Sequence, residues 1–404
     1  MLRSFRYAPL MLVLVNITAS RVAVGDMPQV RVADDNRGFV LSDSGDPFMP
    51  WGFNYDHDEN GRLLEDYWAE EWPKVEEDFR EMKQLGANVA RIHLQIAKYM
   101  TDSETTNEAN LDRLSLLVAL AEKTGIYLDI TGLACYRKKD VPRWYDELNE
   151  AQRWAVQCRF WEAVAGRCVK SPAIFCYDLM NEPVVPGGKR NPGDWLGPPF
   201  LGSDSGYFVQ CISLDQQDRS RPAIARQWCH QMVTAIRKHD QRHLVTVGLV
   251  PWSLDRPGLT SGFVPEEIAP ELDFIAVHLY PEKGKVQEAL EKLSGFAVGK
   301  PLVIEETFLL KCSRQEFEQF LDESRKVANG WIGFYWGTTP EEYRQAKTLR
   351  AAFMLSWLEI FQKRAGEVVR SSGSPKQLGD LGTALGLRFG GEGKVLAVGL
   401  AFTG

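Results

Sequence analysis

From about residue 48 the chain alternates two hydrophobic patterns. Short runs of β-branched, aromatic and aliphatic residues occur at 48–55, 88–94, 127–133, 174–182, 243–250, 274–280, 302–307 and 331–336. Most are apolar almost throughout, as parallel strands buried on both faces are. Between them, apolar residues recur three and four positions apart, the spacing of a helix with one buried face. Pro73 suits a first helical turn, Val75, Phe79 and Met82 share a face, and Gly86 closes the segment. Leu111, Leu114, Val118 and Ala121 form a second stripe ended by Gly125, and Leu349, Phe353, Trp357 and Ile360 a third. Eight strands alternating with helices predict an α/β protein, a (β/α)8 TIM barrel. A doubly wound open sheet is the alternative. It would usually carry a glycine-rich phosphate turn after its first strand, and Gly52-Phe53-Asn54 is no such turn.

The flanks read differently. Residues 30–33 and 38–42 surround a polar Asp-Asp-Asn turn and predict an N-terminal β-hairpin plugging the barrel bottom. The longest insertion, 184–221, is rich in Gly and Pro and contains Trp195, Phe200, Tyr207 and Phe208. It follows the fourth strand, so it is expected over the C-terminal face as a functional or mobile loop. Residues 370–404 turn Gly-rich and form a short C-terminal extension, with 385–389 and 395–402 as a candidate hairpin. Residues 1–25 read as a signal peptide: Arg3 and Arg6, an apolar stretch over 9–17, then Ala23-Val24-Gly25 as a cleavage site. An uncleaved anchor or a disordered start is the alternative. The domain plan is therefore 1–25 signal, 26–369 barrel and 370–404 extension, in a secreted or periplasmic protein with no membrane span after signal removal.

Catalytic groups of a parallel barrel gather at the C-terminal ends of its strands. Those ends carry Asn54 and His57, Arg91 and His93, Asp129 and Thr131, Asn181 and Glu182, His278 and Tyr280, Glu305 and Glu306, and Trp336. One such charge suits a structural ion pair. Many converging on one mouth do not, because burying unpaired charge costs several kcal/mol.

Leu179-Met180-Asn181-Glu182-Pro183, His278-Leu279-Tyr280-Pro281 and Val303-Ile304-Glu305-Glu306-Thr307-Phe308 carry most of the functional information, with Trp336, Gly52-Phe53-Asn54 and Asn88-Val89-Ala90-Arg91 beside them. In this order over most of 48–340, they make the chain resemble glycoside hydrolase family 5, the cellulase and mannanase family of retaining barrels. The resemblance implies hydrolysis of a β-linked glucan or mannan, with Glu182 as acid/base and Glu306 as nucleophile. It further implies that Asn181 binds the sugar 2-hydroxyl, Tyr280 hydrogen-bonds the nucleophile and Arg91 keeps it charged. His278 would contact the acid/base, Trp336 would be the platform under the reacting sugar, and Asn54 and His93 complete the substrate-binding set. The chemistry asks for such a pair on its own account: one carboxyl protonates the leaving oxygen while another, about 5–5.5 Å away, attacks the anomeric carbon. Two positions depart from the family pattern. Thr131 stands where many members have His, and Glu305 where many have a small residue. Strand alternation predicts that only one of Glu305 and Glu306 enters the mouth, and does not by itself choose.

Composition narrows the remaining alternatives. Hydrophobic residues at 44% and charged residues at 25% describe an ordinary packed protein. Removing the three arginines of 1–25 takes the net charge from −7 to −10, which argues against nucleic acid as a partner. His57, His93 and His278 invite a zinc reading, but no ligand spacing supports a metal, and no cofactor is expected. His230, His239 and His243 read as helix-surface or capping residues. Trp51, Trp72, Trp144, Trp195 and Trp252 are each candidates for sugar stacking, with packing the simpler role. Asp56-His57-Asp58-Glu59 reads as a solvated loop. The seven cysteines, 135, 158, 168, 176, 211, 229 and 312, include no Cys-x-x-Cys and leave room for one or two disulfides. A carbohydrate-binding pseudoenzyme is the alternative from another class, and a metal-dependent barrel hydrolase a more distant one.

Overall fold

The structure, a computed structural model, describes residues 27–199, 206–254 and 260–372. The signal segment and the hairpin expected within 370–404 lie outside the described residues. Strands β1 (Val30–Val32), β2 (Phe39–Leu41) and β3 (Pro47–Phe48) form a small antiparallel sheet. Strands β4 (Trp51–Asn54), β5 (Val89–Gln95), β6 (Tyr127–Ala134) and β7 (Ile174–Asn181) begin the barrel. Two short strands, β8 (Pro183–Val184) and β9 (Gln210–Cys211), pair with each other inside the long insertion. Strands β10 (Leu244–Leu249), β11 (Ile275–His278), β12 (Leu302–Thr307) and β13 (Gly330–Gly333) complete a closed barrel of eight parallel strands in which β13 pairs with β4. The predicted fold class is the observed one.

The helices obey their local signals. Pro73 sits in the first turn of Trp72–Gln84, and Gly125 caps Glu108–Thr124 in the left-handed region with φ 68°. The last helix, Leu349–Ser372, runs past the domain boundary placed at 369, and its buried stripe differs from the predicted one. Leu349 and Phe353 are exposed, whereas Met354, Trp357, Leu358 and Phe361 are buried against the barrel. Trp357 lies so close to β13 that a Cβ on Gly333 would stand 1.8 Å from its ring, so that strand needs glycine there.

The barrel interior is divided by height. At the N-terminal end Val89, Tyr127, Phe175, Phe274 and Val303 pack with Val30, Phe39 and Phe48 from the small sheet. Phe39 meets Phe175 and Phe274 edge-on, both at 5.2 Å, so the hairpin closes the bottom as predicted. Above this apolar floor the inward positions become charged. On β5, Arg91 and His93 follow Val89 inward while Ala90, Ile92 and Leu94 face the helices, which is the period of two expected of a strand.

All seven cysteines are free. Five are buried and two half-buried, and none is bridged, so they act as small apolar side chains.

Candidate active site

Arg91 organises the upper barrel. Its guanidinium is fully buried, and its Nη1 donates to Asn54 Oδ1 at 2.8 Å and Glu306 Oε1 at 2.7 Å. Its Nη2 donates to Asp178 Oδ2 at 2.7 Å and Asn181 Oδ1 at 3.0 Å, and Glu305 Oε2 lies 3.7 Å away. Burial works against the charge, but Glu305, Asp178, Glu306 and Asp129 outweigh it and hold the guanidinium well above its ordinary range. Asp178 is tied further by Thr131 Oγ1 and the Gly248 amide, both donating at 2.8 Å.

Two strand irregularities bring these groups together. Between β10 and β7 the register runs from Thr246–Asp178 to Gly248–Asn181, giving β7 one extra residue. Asp178 and Asn181 therefore face inward although three positions apart. Between β11 and β12 it runs from Val277–Ile304 to His278–Glu306, so Glu305 is the extra residue there. Immediately after β7, Glu182 adopts φ 49°, a left-handed conformation rare for a non-glycine residue and common at functional sites.

At the mouth, Glu182 and Glu306 share one imidazole. His278 Nδ1 is 3.0 Å from Glu182 Oε1 and 3.6 Å from Glu306 Oε1. Burial opposes protonation of His278, but Glu306, Glu182 and Glu305 raise it to about 10. Tyr280 donates to Glu306 Oε2 at 2.8 Å, and burial and this carboxylate hold its phenol protonated far above the usual range. The side chains of Glu182 and Glu306 are 18% and 10% exposed, so both reach solvent. A cleft of about 490 Å³ extends from Glu182 past Trp252, Tyr280 and Lys292.

Comparison with known proteins fits this geometry. The family described as Cellulase (glycosyl hydrolase family 5) matches residues 42–339, most of the chain. The chain belongs to glycosyl hydrolase family 5. Among similar proteins, mannan endo-1,4-beta-mannosidase A of Podospora anserina is 26% identical over 264 residues, 57% of this chain and 61% of that protein. The enzyme of the same name from Emericella nidulans is 24% identical over 240 residues, 53% of each. This family 5 chain thus spans less than two thirds of the length of these curated relatives. An exo-beta-1,4-mannosidase from an Opitutaceae bacterium superposes with a TM-score of 0.61 at 15% identity, over 85% of this chain and 63% of that one, a likeness of fold.

Several expected site residues of this family 5 barrel stand elsewhere than predicted. Trp336 is 1% exposed, donates its indole N–H to Asp78 at 2.9 Å and packs on Phe53, so it is core and offers no sugar platform. Phe334 and Tyr335, just before it, are half-buried; Phe334 lies edge-on to Tyr280, and both rings lie beside His57. Asn54, Arg91 and His93 lie beneath the mouth, fully or nearly buried, and are joined through Asn54 Oδ1. His93 pairs with Tyr136 and reaches Asn54 Oδ1 at 3.3 Å, while burial and Arg91 keep it neutral. Thr131 is likewise buried on Asp178. Asn181 reaches the rim, where it donates to the Phe208 carbonyl at 3.1 Å and so meets the long insertion.

Alternation across β12 does not hold. The extra residue lets both Glu305 and Glu306 face Arg91, Glu306 at the mouth and Glu305 deeper and fully buried. Of the tryptophans, Trp51 and Trp195 are core, Trp72 and Trp144 are half-buried, and Trp252 is 43% exposed on the cleft. In the Asp56-His57-Asp58-Glu59 loop both aspartates are buried, and Asp56 holds His57 Nδ1 at 2.8 Å. His243 is a fully buried partner of Asp240, not a surface residue. Among the described residues one ligand-type trio converges: Asp129, Cys176 and Glu305, within 4.8 Å of one another. Burial and neighbouring carboxylates push Asp129 and the Cys176 thiol far up.

Sequence reading missed Asp178 and Gly248. A lone acid inside Ile174-Phe175-Cys176-Tyr177-Asp178 was the available signal for the first. For Gly248 there was none, because its role depends on what β5, β11 and β12 press against it.

Proposed function

We propose that this chain is a retaining β-glycosidase that hydrolyses β-linked mannan or glucan, with Glu182 as acid/base and Glu306 as nucleophile. The observation that carries the reading is the shared imidazole. Reaches of 3.0 and 3.6 Å from His278 Nδ1 cap the separation of the two carboxylate oxygens at about 6.6 Å. That ceiling sits at the bottom edge of the about 6.5–9.5 Å that inverting pairs span to admit a water and takes in the about 5–5.5 Å of retaining pairs, which favours retention. In the first step Glu306 bonds to the anomeric carbon as Glu182 gives its proton to the departing oxygen. In the second, Glu182 takes a proton from water, whose oxygen replaces Glu306 at that carbon. The second inversion restores the β configuration.

Mannan is favoured over glucan because the similar proteins named above are described as mannosidases. We read 1–25 as an export signal, which places the substrate outside the cytoplasm, and 26–369 and 370–404 as the catalytic domain and its extension. The test is to assay the full chain on mannan, glucan and xylan, with proton NMR of the earliest product. Cleavage giving β anomer before mutarotation is expected. An initial α anomer rejects double displacement, and binding without turnover turns the reading to a pseudoenzyme.

Phe334 and Trp336, both just after β13, should part company. Phe334→Ala is expected to raise KM or lower kcat/KM by about tenfold or more, losing a stacking face worth ~1–3 kcal/mol, with little change in melting temperature. Trp336→Ala should instead lower the melting temperature, costing ~3–5 kcal/mol of core packing. Thermal unfolding and initial rates on the two variants check this. A stable Trp336→Ala defective only in KM would return the platform to Trp336.

A further inference from the structure

We propose that Glu305 is a positioning residue of the active site, holding His278 doubly protonated from below so that the opposite N–H of the ring orients Glu182. The proposal rests on the reading of Glu182 as acid/base. His278 stands between two carboxylates, with Nδ1 3.0 Å from Glu182 Oε1 and Nε2 3.5 Å from Glu305 Oε2. A neutral imidazole has one N–H and one lone pair, so its lone pair would face Glu305, or would face Glu182 and be satisfied there only while Glu182 holds its proton. Only the imidazolium donates both ways. Nε2 makes no hydrogen bond among the described residues, and the Glu305 carboxylate faces it as an ion-pair partner at 3.5 Å.

The floor on which they meet is built for close approach. A Cβ on Gly248 would stand 2.9 Å from His278 Nε2, 3.0 Å from Glu305 Oε2 and 3.1 Å from Arg91 Nη2. Any side chain there would push the three groups apart. The bulge that makes Glu305 the extra residue of β12 brings it into this space, so one irregularity supplies both the mouth carboxylate and the one beneath it.

The charged groups around the ring are Glu182 from the end of β7, Glu305 and Glu306 from β12, and Arg91 and His93 from β5. Three acids face it against one guanidinium, His93 being kept neutral by burial and Arg91. Glu305 keeps its charge because Arg91 and His278 outweigh its burial, while Asp129 beside it is pushed up by burial and by Glu305 and holds the proton of that pair.

The first measurement needs no substrate. The full chain is labelled with 15N-histidine, and the His278 ring nitrogens, assigned by their loss in His278→Gln, are followed from about pH 5 to 9. In the wild type both should keep the protonated shift throughout. In Glu305→Gln the ring should titrate within the window, at least about one unit lower. A wild-type His278 that is singly protonated at neutral pH overturns the proposal even if Glu305→Gln does not fold, as does a folded Glu305→Gln with an unchanged ring. The second measurement compares leaving groups. Glu305→Gln should lose about tenfold in kcat/KM on a substrate whose poor leaving group needs the Glu182 proton, and about twofold or less on an activated aryl glycoside. Equal losses on both make Glu305 merely structural. If Glu182→Ala itself shows no dependence on the leaving group, the acid/base reading fails, while the nitrogen shifts still decide the state of His278.

Discussion

Glu306→Ala is expected to lower kcat by about 10⁴-fold or more on every substrate, because no glycosyl-enzyme forms without the nucleophile. The geometry gives this residue its rank. Arg91 and Tyr280 each hold one of its oxygens, at 2.7 and 2.8 Å, leaving the carboxylate fixed at the mouth and partly open to solvent. Azide should occupy the vacated space and attack directly, giving the α-glycosyl azide by a single inversion. Glu305 is the necessary control, being adjacent, acidic and also on Arg91. Its variants should keep measurable turnover on an activated substrate. Near-normal turnover by Glu306→Ala beside a folded, inactive Glu305→Ala would move the nucleophile one residue back.

Glu182→Ala should fail differently. On a substrate with a poor leaving group the loss should be ~10²–10⁴-fold, the range of a general acid. On an activated aryl glycoside the first step needs little protonation and should proceed. The second step lacks its base, so the intermediate should accumulate as a burst followed by slow turnover. Azide should relieve that block and yield the β-glycosyl azide by two inversions. An equal loss on both substrates, with no burst and no azide product, would remove Glu182 from the acid/base role.

What the sequence made legible here, and what it did not, follows from range. The barrel strands were visible because each is a local apolar run buried on both faces, and β12 was placed to the residue. The carboxylates at strand ends were visible because charge beside such runs is costly. The roles of Trp336 and Phe334 were not. Both follow the same strand, and which ring turns inward depends on Asp78 of a distant helix accepting the indole N–H. The inward pairing of Glu305 and Glu306 was hidden as well, since alternation is a rule for regular strands and the extra residue shows only against the register of β11. In Leu349–Ser372, periodicity found a helix but chose the wrong face over its first turns, where Ala351 and Met354 are buried and Leu349 and Phe353 are exposed.

Arg91 also bears on how such a barrel comes to be assembled. Its hydrogen-bond partners lie 37, 87, 90 and 215 residues along the chain, spread from the first barrel strand to the seventh. Helices and neighbouring strands can form early from local contacts, but this guanidinium gains its full set only when distant strands have met, after the loop-closure entropy has been met. A half-closed barrel that had already shed water from its interior would hold the charge with partners missing, an arrangement costing ~3–5 kcal/mol. Partly assembled forms are thereby disfavoured relative to both the open chain and the finished ring. The same ion that steadies Glu306 thus also favours the closed ring over one with a strand missing.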